Sequence, residues 1–263
     1  MTTKNFITSD DINLIYDDQG EGQPVLLLTG YAGCKEIWNS QVKFLVKQGY
    51  RVINLDRRNH GQSGVSKKGL RISRHGKDVA ELIDRLDLND IIMIGNSMGA
   101  SVIWAYCSLF GDEKISKIID VDQSPKMLSD DSWNYGILDF NWNNFYFKLD
   151  DIYNTHTTYR HIDNDTFSLV KSVQHPFDHK LNRPLLLDHV VQDWRDVIRG
   201  IDVPSLFVSS DHTPFWNNEY VIKLAELAKK GTYKIIKNAG HIIMAEQPDE
   251  FNKIMLDFLI SNM

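Results

Sequence analysis

The sequence holds few cysteines and no long apolar run. Its 263 residues include only Cys34 and Cys107, which cannot form a disulfide framework and are expected to be free thiols. No apolar segment reaches the roughly 18 residues of a membrane-spanning helix. Residues 1–5 carry no apolar signal core. We therefore expect a cytoplasmic protein that does not bind a membrane.

Positive charge is also scarce. Lys and Arg together number 29 against 35 Asp and Glu, which gives a formal net charge of -6. No basic run or stripe is present, so nucleic acid is not an expected partner. Hydrophobic residues make up 42% of the chain, and a chain of this length and composition can build one large core.

Apolar runs alternate with amphipathic stretches along most of the chain. Residues 24–29 form a continuous apolar run, which is typical of a strand covered on both faces, and residues 51–56 are predicted to be the next strand. Residues 5–16 predict a hairpin, and the apolar spacing over residues 79–86 predicts a helix. A last helix is predicted to begin at Pro248. This alternation predicts an α/β fold, with a mostly parallel sheet of about eight strands and helices on both faces.

The alternation stops after Pro125 and resumes at Val203. The stretch between them is rich in aromatic side chains and shows no strand–helix alternation. We interpret residues 127–200 as a helical cap inserted over the strand ends, and residues 1–126 and 201–263 as the core domain. Most of the aromatic side chains are expected to form the core of the cap, while two or three line a substrate pocket.

A short segment in the middle of the chain predicts a nucleophile. Residues 91–94 are apolar, Gly95–Gly99 has the sequence Gly-Asn-Ser-Met-Gly, and an apolar helix follows. A Gly-x-Ser-x-Gly segment between a strand and a helix is typical of the nucleophile elbow, which exposes a serine hydroxyl at the end of a sheet. The two glycines are expected because the backbone there is strained and closely packed. Ser97 is the predicted nucleophile.

A serine nucleophile needs a base, and the base needs an orienting acid. Active sites of such sheets lie at the carboxyl ends of the strands, and the expected chain order is Ser, Asp, His. His241 follows the last predicted strand and is the predicted base. Asp211, shortly after the strand that ends at Val208, is the predicted acid. Asp122, at the end of the preceding strand, is the alternative acid.

These segments resemble the α/β-hydrolase superfamily over nearly the full chain. Residues 29–31 resemble its His-Gly-aromatic segment, and residues 56–63 resemble its Asp-x-Arg-Gly-x-Gly-x-Ser loop. Gly240–His241 resembles the segment around its catalytic histidine. Residues 29–38 and 122–126 are most similar to the branch of cofactor-free haloperoxidases, esterases and some acyl-homoserine lactonases.

The resemblance implies a serine hydrolase that cleaves a small carboxylic ester or lactone through an acyl-enzyme on Ser97, without metal or organic cofactor. Backbone N–H groups of Tyr31 and Met98 would hold the oxyanion. The segment Ser209–His212 is shorter than the family's Gly-x-x-Asp form, which keeps Asp122 open as the acid. The candidate substrate-binding residues are Gly30, Trp133, Trp142 and Tyr159.

Other activities could use the same side chains. One is hydrolysis of N-acyl-homoserine lactones, which would proceed through Ser97 because the zinc-lactonase pattern His-x-His-x-Asp-His is absent. Another is perhydrolysis, in which peroxide replaces water, as in the cofactor-free haloperoxidases. A non-catalytic receptor for an apolar signal is disfavoured by the complete Ser, Asp and His set. The sequence leaves both a monomer and a homodimer open.

Overall fold

The computed structural model describes residues 3–173 and 176–261. The strands are β1 (Thr3–Ile7), β2 (Asn13–Gln19), β3 (Pro24–Leu28), β4 (Arg51–Leu55), β5 (Ile91–Asn96), β6 (Ile115–Val121), β7 (Ser205–Ser210) and β8 (Gly231–Ile236). The α-helices are α1 (Asn39–Lys47), α2 (Ile72–Arg85), α3 (Met98–Phe110), α4 (Phe145–Lys148), α5 (Asp151–Asn154), α6 (Asn164–Val173), α7 (His179–Val190), α8 (Arg195–Gly200), α9 (Glu219–Leu227), α10 (Ile243–Glu246) and α11 (Pro248–Ile260). Short 3-10 helices cover Lys35–Trp38 and Ile137–Asp139.

The strands form a single sheet in the order β1-β2-β4-β3-β5-β6-β7-β8. Strand β2 pairs antiparallel with both β1 and β4. All other pairings are parallel. The predicted amino-terminal hairpin, the mostly parallel sheet of about eight strands and the start of the last helix at Pro248 are therefore confirmed.

Both faces of the sheet are covered. Along β3, Leu26 and Leu28 belong to the hydrophobic cluster that contains helices α2 and α3, whereas Val25 and Leu27 belong to the cluster that contains α1 and α11. Successive side chains of a strand point to opposite faces, so a strand buried on both sides must be apolar throughout. Each such fully buried leucine contributes about 1.5–3 kcal/mol relative to an exposed one.

The segment between β6 and β7 contains helices α4 to α8 and, in its described part, no strand of the sheet. Its buried apolar side chains belong to the same hydrophobic cluster as α2 and α3; they include Met127, Trp133, Ile137, Phe140, Leu149 and Leu185. The inserted segment thus shares a core with one face of the sheet. Its treatment as a cap with its own domain boundaries stays a prediction.

Among the described residues, no helix combines the length and the apolar character needed to cross a lipid bilayer.

Candidate active site

Ser97 occupies a strained turn between β5 and α3. Its backbone has φ 53° and ψ -128°, a combination that is costly for a residue with a side chain, by about 1–3 kcal/mol. The turn is held because Ser97 N donates to Val121 O at 2.9 Å and Ser97 O accepts from Ala100 N at 2.8 Å. Ser97 lines a cavity at the carboxyl ends of the strands.

The glycines on either side of Ser97 are required by close backbone packing. A Cβ on Gly95 would lie 2.5 Å from Gly99 C and from Ala100 N. A Cβ on Gly99 would lie 2.4 Å from Leu28 O, on the neighbouring strand β3. Neither position has room for a side chain, as the sequence predicts.

The predicted oxyanion donors lie next to Ser97. A Cβ on Gly30 would lie only 3.0 Å from Ser97 Cβ, so the loop that carries Gly30 and Tyr31 packs directly against the serine. Gly30 and Tyr31 both line the cavity. Met98 is the first residue of α3, at the end of a helix where backbone N–H groups favour negative charge.

His241 lies on the loop after β8 and lines the same cavity as Ser97. Its ring packs edge-on against Phe215 with centroids 4.7 Å apart, and the residue is only 4% exposed. Its backbone N donates to Thr157 O at 2.7 Å, and its carbonyl oxygen accepts from Asn96 Nδ2 at 3.2 Å. Contacts from the elbow strand and the inserted segment therefore fix the position of His241.

The Glu246 carboxylate holds the rest of this loop. Its oxygens accept from the backbone N–H groups of Gly240 and Ile242 at 2.9 and 3.1 Å. They also accept from Tyr159 N and Arg160 N, in the inserted segment, at 2.7 and 2.8 Å. One side chain thus ties the histidine loop to the segment that covers the cavity.

The carboxylate that contacts His241 is that of Asp122, the alternative acid, and not that of Asp211, the acid predicted first. His241 Nδ1 lies 2.7 Å from Asp122 Oδ2. Asp211 instead contacts His212 Nδ1 at 2.7 Å, and its side chain is 31% exposed. The two backbones differ in one respect. Both aspartates donate their N–H to the next strand, Asp122 to Val208 O and Asp211 to Ile236 O, but of the two only Asp122 has a positive φ, of 58°.

Asp122 is fully buried and its oxygens are saturated with donors. Oδ1 accepts from Ser209 Oγ at 2.9 Å and from Tyr220 OH at 3.0 Å. Oδ2 accepts from Thr213 Oγ1 at 2.6 Å, in addition to His241. Such hydrogen bonds offset the cost of burying a charged carboxylate.

The donor set also defines the histidine tautomer. An ionised carboxylate only accepts hydrogen bonds, so His241 Nδ1 carries a hydrogen and Nε2 is left free to accept a proton from a nucleophile. Burial and the Asp122 charge raise the pKa of Tyr220 well above its usual value, which keeps its phenol a donor to Asp122. The chemistry available is proton abstraction by an oriented neutral imidazole.

The cavity has a volume of about 420 Å³. Its apolar wall includes Met127, Ile137, Ile152, Leu186 and Phe215, and its polar wall includes Tyr153, His179, Asn182, His189 and Trp216. Burial and the positive charge of Arg57 lower the pKa of His189 to about 3, so its ring is neutral. Phe215 and Trp216 follow the end of β7, where a parallel sheet is expected to place its active site, so the sequence could have indicated them. His189 lies within α7, and no feature of the sequence marks it as a cavity residue.

Three predicted substrate-binding residues lie elsewhere. Trp142 is 56% exposed on the surface, and Tyr159, 54% exposed, stacks on His212 with centroids 3.7 Å apart. Trp133 is buried against Tyr135. None of the three lines the cavity, because the inserted segment turns these aromatic rings to the surface or into the shared core. Of the predicted set, only Gly30 faces the cavity.

Cys34 also lines the cavity, but burial raises the pKa of its thiol to about 12. A thiol that stays protonated is a poor nucleophile. Over residues 3–173 and 176–261, no group of three or more His, Cys, Asp and Glu side chains is arranged to hold a metal ion.

Comparison with known proteins identifies the family. Residues 23–167 match the family model described as the alpha/beta hydrolase fold. A putative non-heme chloroperoxidase of Synechocystis sp. is 28% identical over 277 residues, covering 95% of this chain and 96% of that relative. In several other non-heme haloperoxidases and chloroperoxidases, the match spans 45% of the relative's own length.

Solved structures show the same fold. An esterase from Exiguobacterium antarcticum superposes with a TM-score of 0.86 at 19% identity, covering 98% of this chain and 99% of that one. A bromoperoxidase from Bacillus anthracis superposes with a TM-score of 0.83 at 24% identity, covering 98% and 100%. The matched family, the eight-stranded sheet and the serine elbow agree with the resemblance found in the sequence. The chain belongs to the α/β-hydrolase family.

Proposed function

We propose that this protein hydrolyses small carboxylic esters through an acyl-enzyme on Ser97. The observation that supports this most strongly is the buried pair of His241 and Asp122, joined at 2.7 Å on the cavity that Ser97 also lines. A strained serine beside a neutral, oriented imidazole is the arrangement that activates a hydroxyl for attack on a carbonyl.

The reaction follows from these positions. Ser97 Oγ attacks the ester carbonyl carbon while His241 Nε2 takes the hydroxyl proton. The negative charge that develops on the carbonyl oxygen is held by the N–H groups of Tyr31 and Met98. Asp122 stabilises the imidazolium, which then gives its proton to the departing alkoxide. Water, deprotonated by the same imidazole, attacks the acyl-enzyme and releases the acid and free Ser97.

The cavity favours a small, partly apolar acyl group. Its volume of about 420 Å³ lies near the lower end of the range for small-molecule sites. Aliphatic side chains such as Ile137 and Ile152 contact this space, and Trp216 and His189 supply polar atoms. Short acyl esters fit this combination best.

A lactone substrate has less support. A lactone would need polar side chains to hold its ring and amide, and the predicted candidates are Tyr159, Trp133 and Trp142. These side chains lie outside the cavity, so none of the three favours a ring over an open ester.

Perhydrolysis is a second candidate at the same site. It is supported by the putative non-heme chloroperoxidase that matches 95% of this chain. In this reaction hydrogen peroxide attacks the acyl-enzyme in place of water and releases a peracid, which then oxidises halide in solution. Halide oxidation that requires acetate and peroxide, and that disappears in Ser97→Ala, would support it.

The proposal is tested with p-nitrophenyl acetate and butyrate. We expect Ser97→Ala to lose about 10⁴-fold or more in kcat, because the nucleophile and base act as a unit. We also expect a fluorophosphonate probe to label the wild type and not the variant. Equal turnover by both proteins would exclude the serine mechanism, and tight binding of apolar ligands without any labelling would favour a receptor.

A further inference from the structure

Arg57 and Arg58 are adjacent buried arginines with opposite surroundings. The Arg58 guanidinium pairs with Asp78 at 2.6 Å and with Asp10 at 3.0 Å. In the described part of the chain, no carboxylate forms an ion pair with Arg57, which is 2% exposed. Even Asp56, next to it in sequence, instead accepts from the backbone N–H groups of Lys35 and Gln62.

Two of the groups around Arg57 are neutral histidines. Arg57 Nη1 lies 2.9 Å from His75 Nδ1, and Nη2 lies 3.1 Å from His60 Nε2. Because guanidinium only donates, both ring nitrogens are acceptors. Burial and the Arg57 charge hold the pKa of each histidine well below its usual value. The pKa of Arg57 itself is lowered to about 9 by burial, so it is positively charged at neutral pH.

The other two acceptors are backbone carbonyls of the loop beside Ser97. Arg57 Nη2 donates to Gly30 O at 2.8 Å, and Nε donates to Thr29 O at 3.1 Å. Gly30 O and Tyr31 N–H belong to one planar peptide group. A donor on that oxygen polarises the N–H on the other side, since linked hydrogen bonds strengthen one another.

Arg57 also contacts Met98, the second residue whose backbone N–H is assigned to the oxyanion. Its Nη1 lies 3.6 Å from the Sδ atom of Met98, the residue that follows the nucleophile. Arg57 does not line the cavity, so it cannot touch a substrate. An unpaired buried charge is costly, and here it donates to the Gly30–Tyr31 peptide group and contacts the side chain of Met98.

We propose that Arg57 is a positioning residue of the oxyanion hole, which fixes and polarises the Gly30–Tyr31 peptide and stabilises the oxyanion with a positive charge that no carboxylate contacts directly among the described residues. This inference rests on the proposed acyl-enzyme mechanism at Ser97. The effect belongs to the transition state, because the negative charge on the carbonyl oxygen develops only there.

The test compares Arg57→Met and Arg57→Lys with the matched neighbours Arg58→Met and Arg58→Lys. Deleting a direct oxyanion donor costs roughly 10²–10³-fold in kcat, so loss of its support should cost about 30-fold in Arg57→Met. KM for p-nitrophenyl acetate should change by less than about threefold, and binding of an arylboronic acid, which forms a tetrahedral adduct on the serine, should weaken in parallel with kcat. Arg57→Lys keeps the charge and should recover part of the loss.

Stability measurements separate positioning from folding. Both methionine variants leave buried polar groups unpaired and should lower Tm, but Arg58→Met should keep kcat within about threefold. The inference would be overturned if substitutions at Arg57 and Arg58 lowered kcat equally. It would also be overturned if Arg57→Lys and Arg57→Met both folded and kept the kcat and boronate affinity of the wild type. If Arg57→Met does not fold, Arg57→Lys alone decides, since retained kcat and boronate affinity overturn the inference. Failure of the proposed function is distinguishable, because Ser97→Ala would then match the wild type.

Discussion

Strands β6 and β7 lie side by side and run parallel, and each is followed by an aspartate at the same edge of the sheet. Asp122 after β6 is fully buried, accepts from three hydroxyl groups and contacts His241. Asp211 after β7 is partly exposed and contacts His212, itself partly exposed. Position at a strand end therefore does not by itself make a carboxylate the partner of the histidine; a buried set of donors is also needed.

The donors for Asp122 come from the chain around and after β7. Ser209, Thr213 and Tyr220 all direct a hydroxyl at the Asp122 carboxylate. These hydrogen bonds offset the cost of burying the carboxylate. The strand that was expected to supply the acid, together with the chain that follows it, thus supplies hydrogen-bond donors to the aspartate after the neighbouring strand.

Asp122→Asn should lower activity more than any other substitution at or around the two aspartates. The amide keeps the volume of the side chain but favours the wrong tautomer of His241, so kcat/KM for p-nitrophenyl acetate should fall by about 10³–10⁴-fold. Steady-state kinetics with a thermal melt to confirm folding is the measurement. A loss below about tenfold would show that Asp122 does not orient the base.

Thr213→Val should have an intermediate effect. It removes a 2.6 Å hydrogen bond to Oδ2, the same Asp122 oxygen that contacts His241. A hydrogen bond to a charged group is worth about 1.5–3 kcal/mol, so kcat should fall by roughly tenfold or more. Thr213→Ser keeps the hydroxyl and serves as the control. If both variants behave alike, the hydroxyl does not act through Asp122.

Asp211→Asn should have the smallest effect. Its carboxylate contacts only the partly exposed His212 among its side-chain partners, and exposed ion pairs contribute about 0–1 kcal/mol. We expect kcat and KM within about twofold of wild type. A loss of kcat comparable with that of Asp122→Asn, in the same assay, would show that Asp211, after β7, is the orienting acid.

The elbow, the position of His241 on the cavity and the sheet could be predicted from the sequence because their signals are local. Gly95 and Gly99 mark close backbone packing around Ser97, and the alternation of apolar runs marks the strands. The choice of acid could not be predicted, because it depends on hydroxyl groups that only the fold brings to Asp122. The residues of the cavity wall could not be predicted either. The packing of the inserted segment decides which of its aromatic side chains face the cavity, and it leaves Trp142 exposed on the surface.

Proton NMR tests the contact between His241 and Asp122 directly. A histidine Nδ1–H bonded to a buried carboxylate gives a far-downfield resonance, which can be assigned here by its loss in His241→Gln and its retention in His212→Gln. We predict that this resonance is present in the wild type and in Asp211→Asn, and absent in Asp122→Asn. Its loss in Asp211→Asn together with its retention in Asp122→Asn would contradict the assignment of Asp122 as the acid.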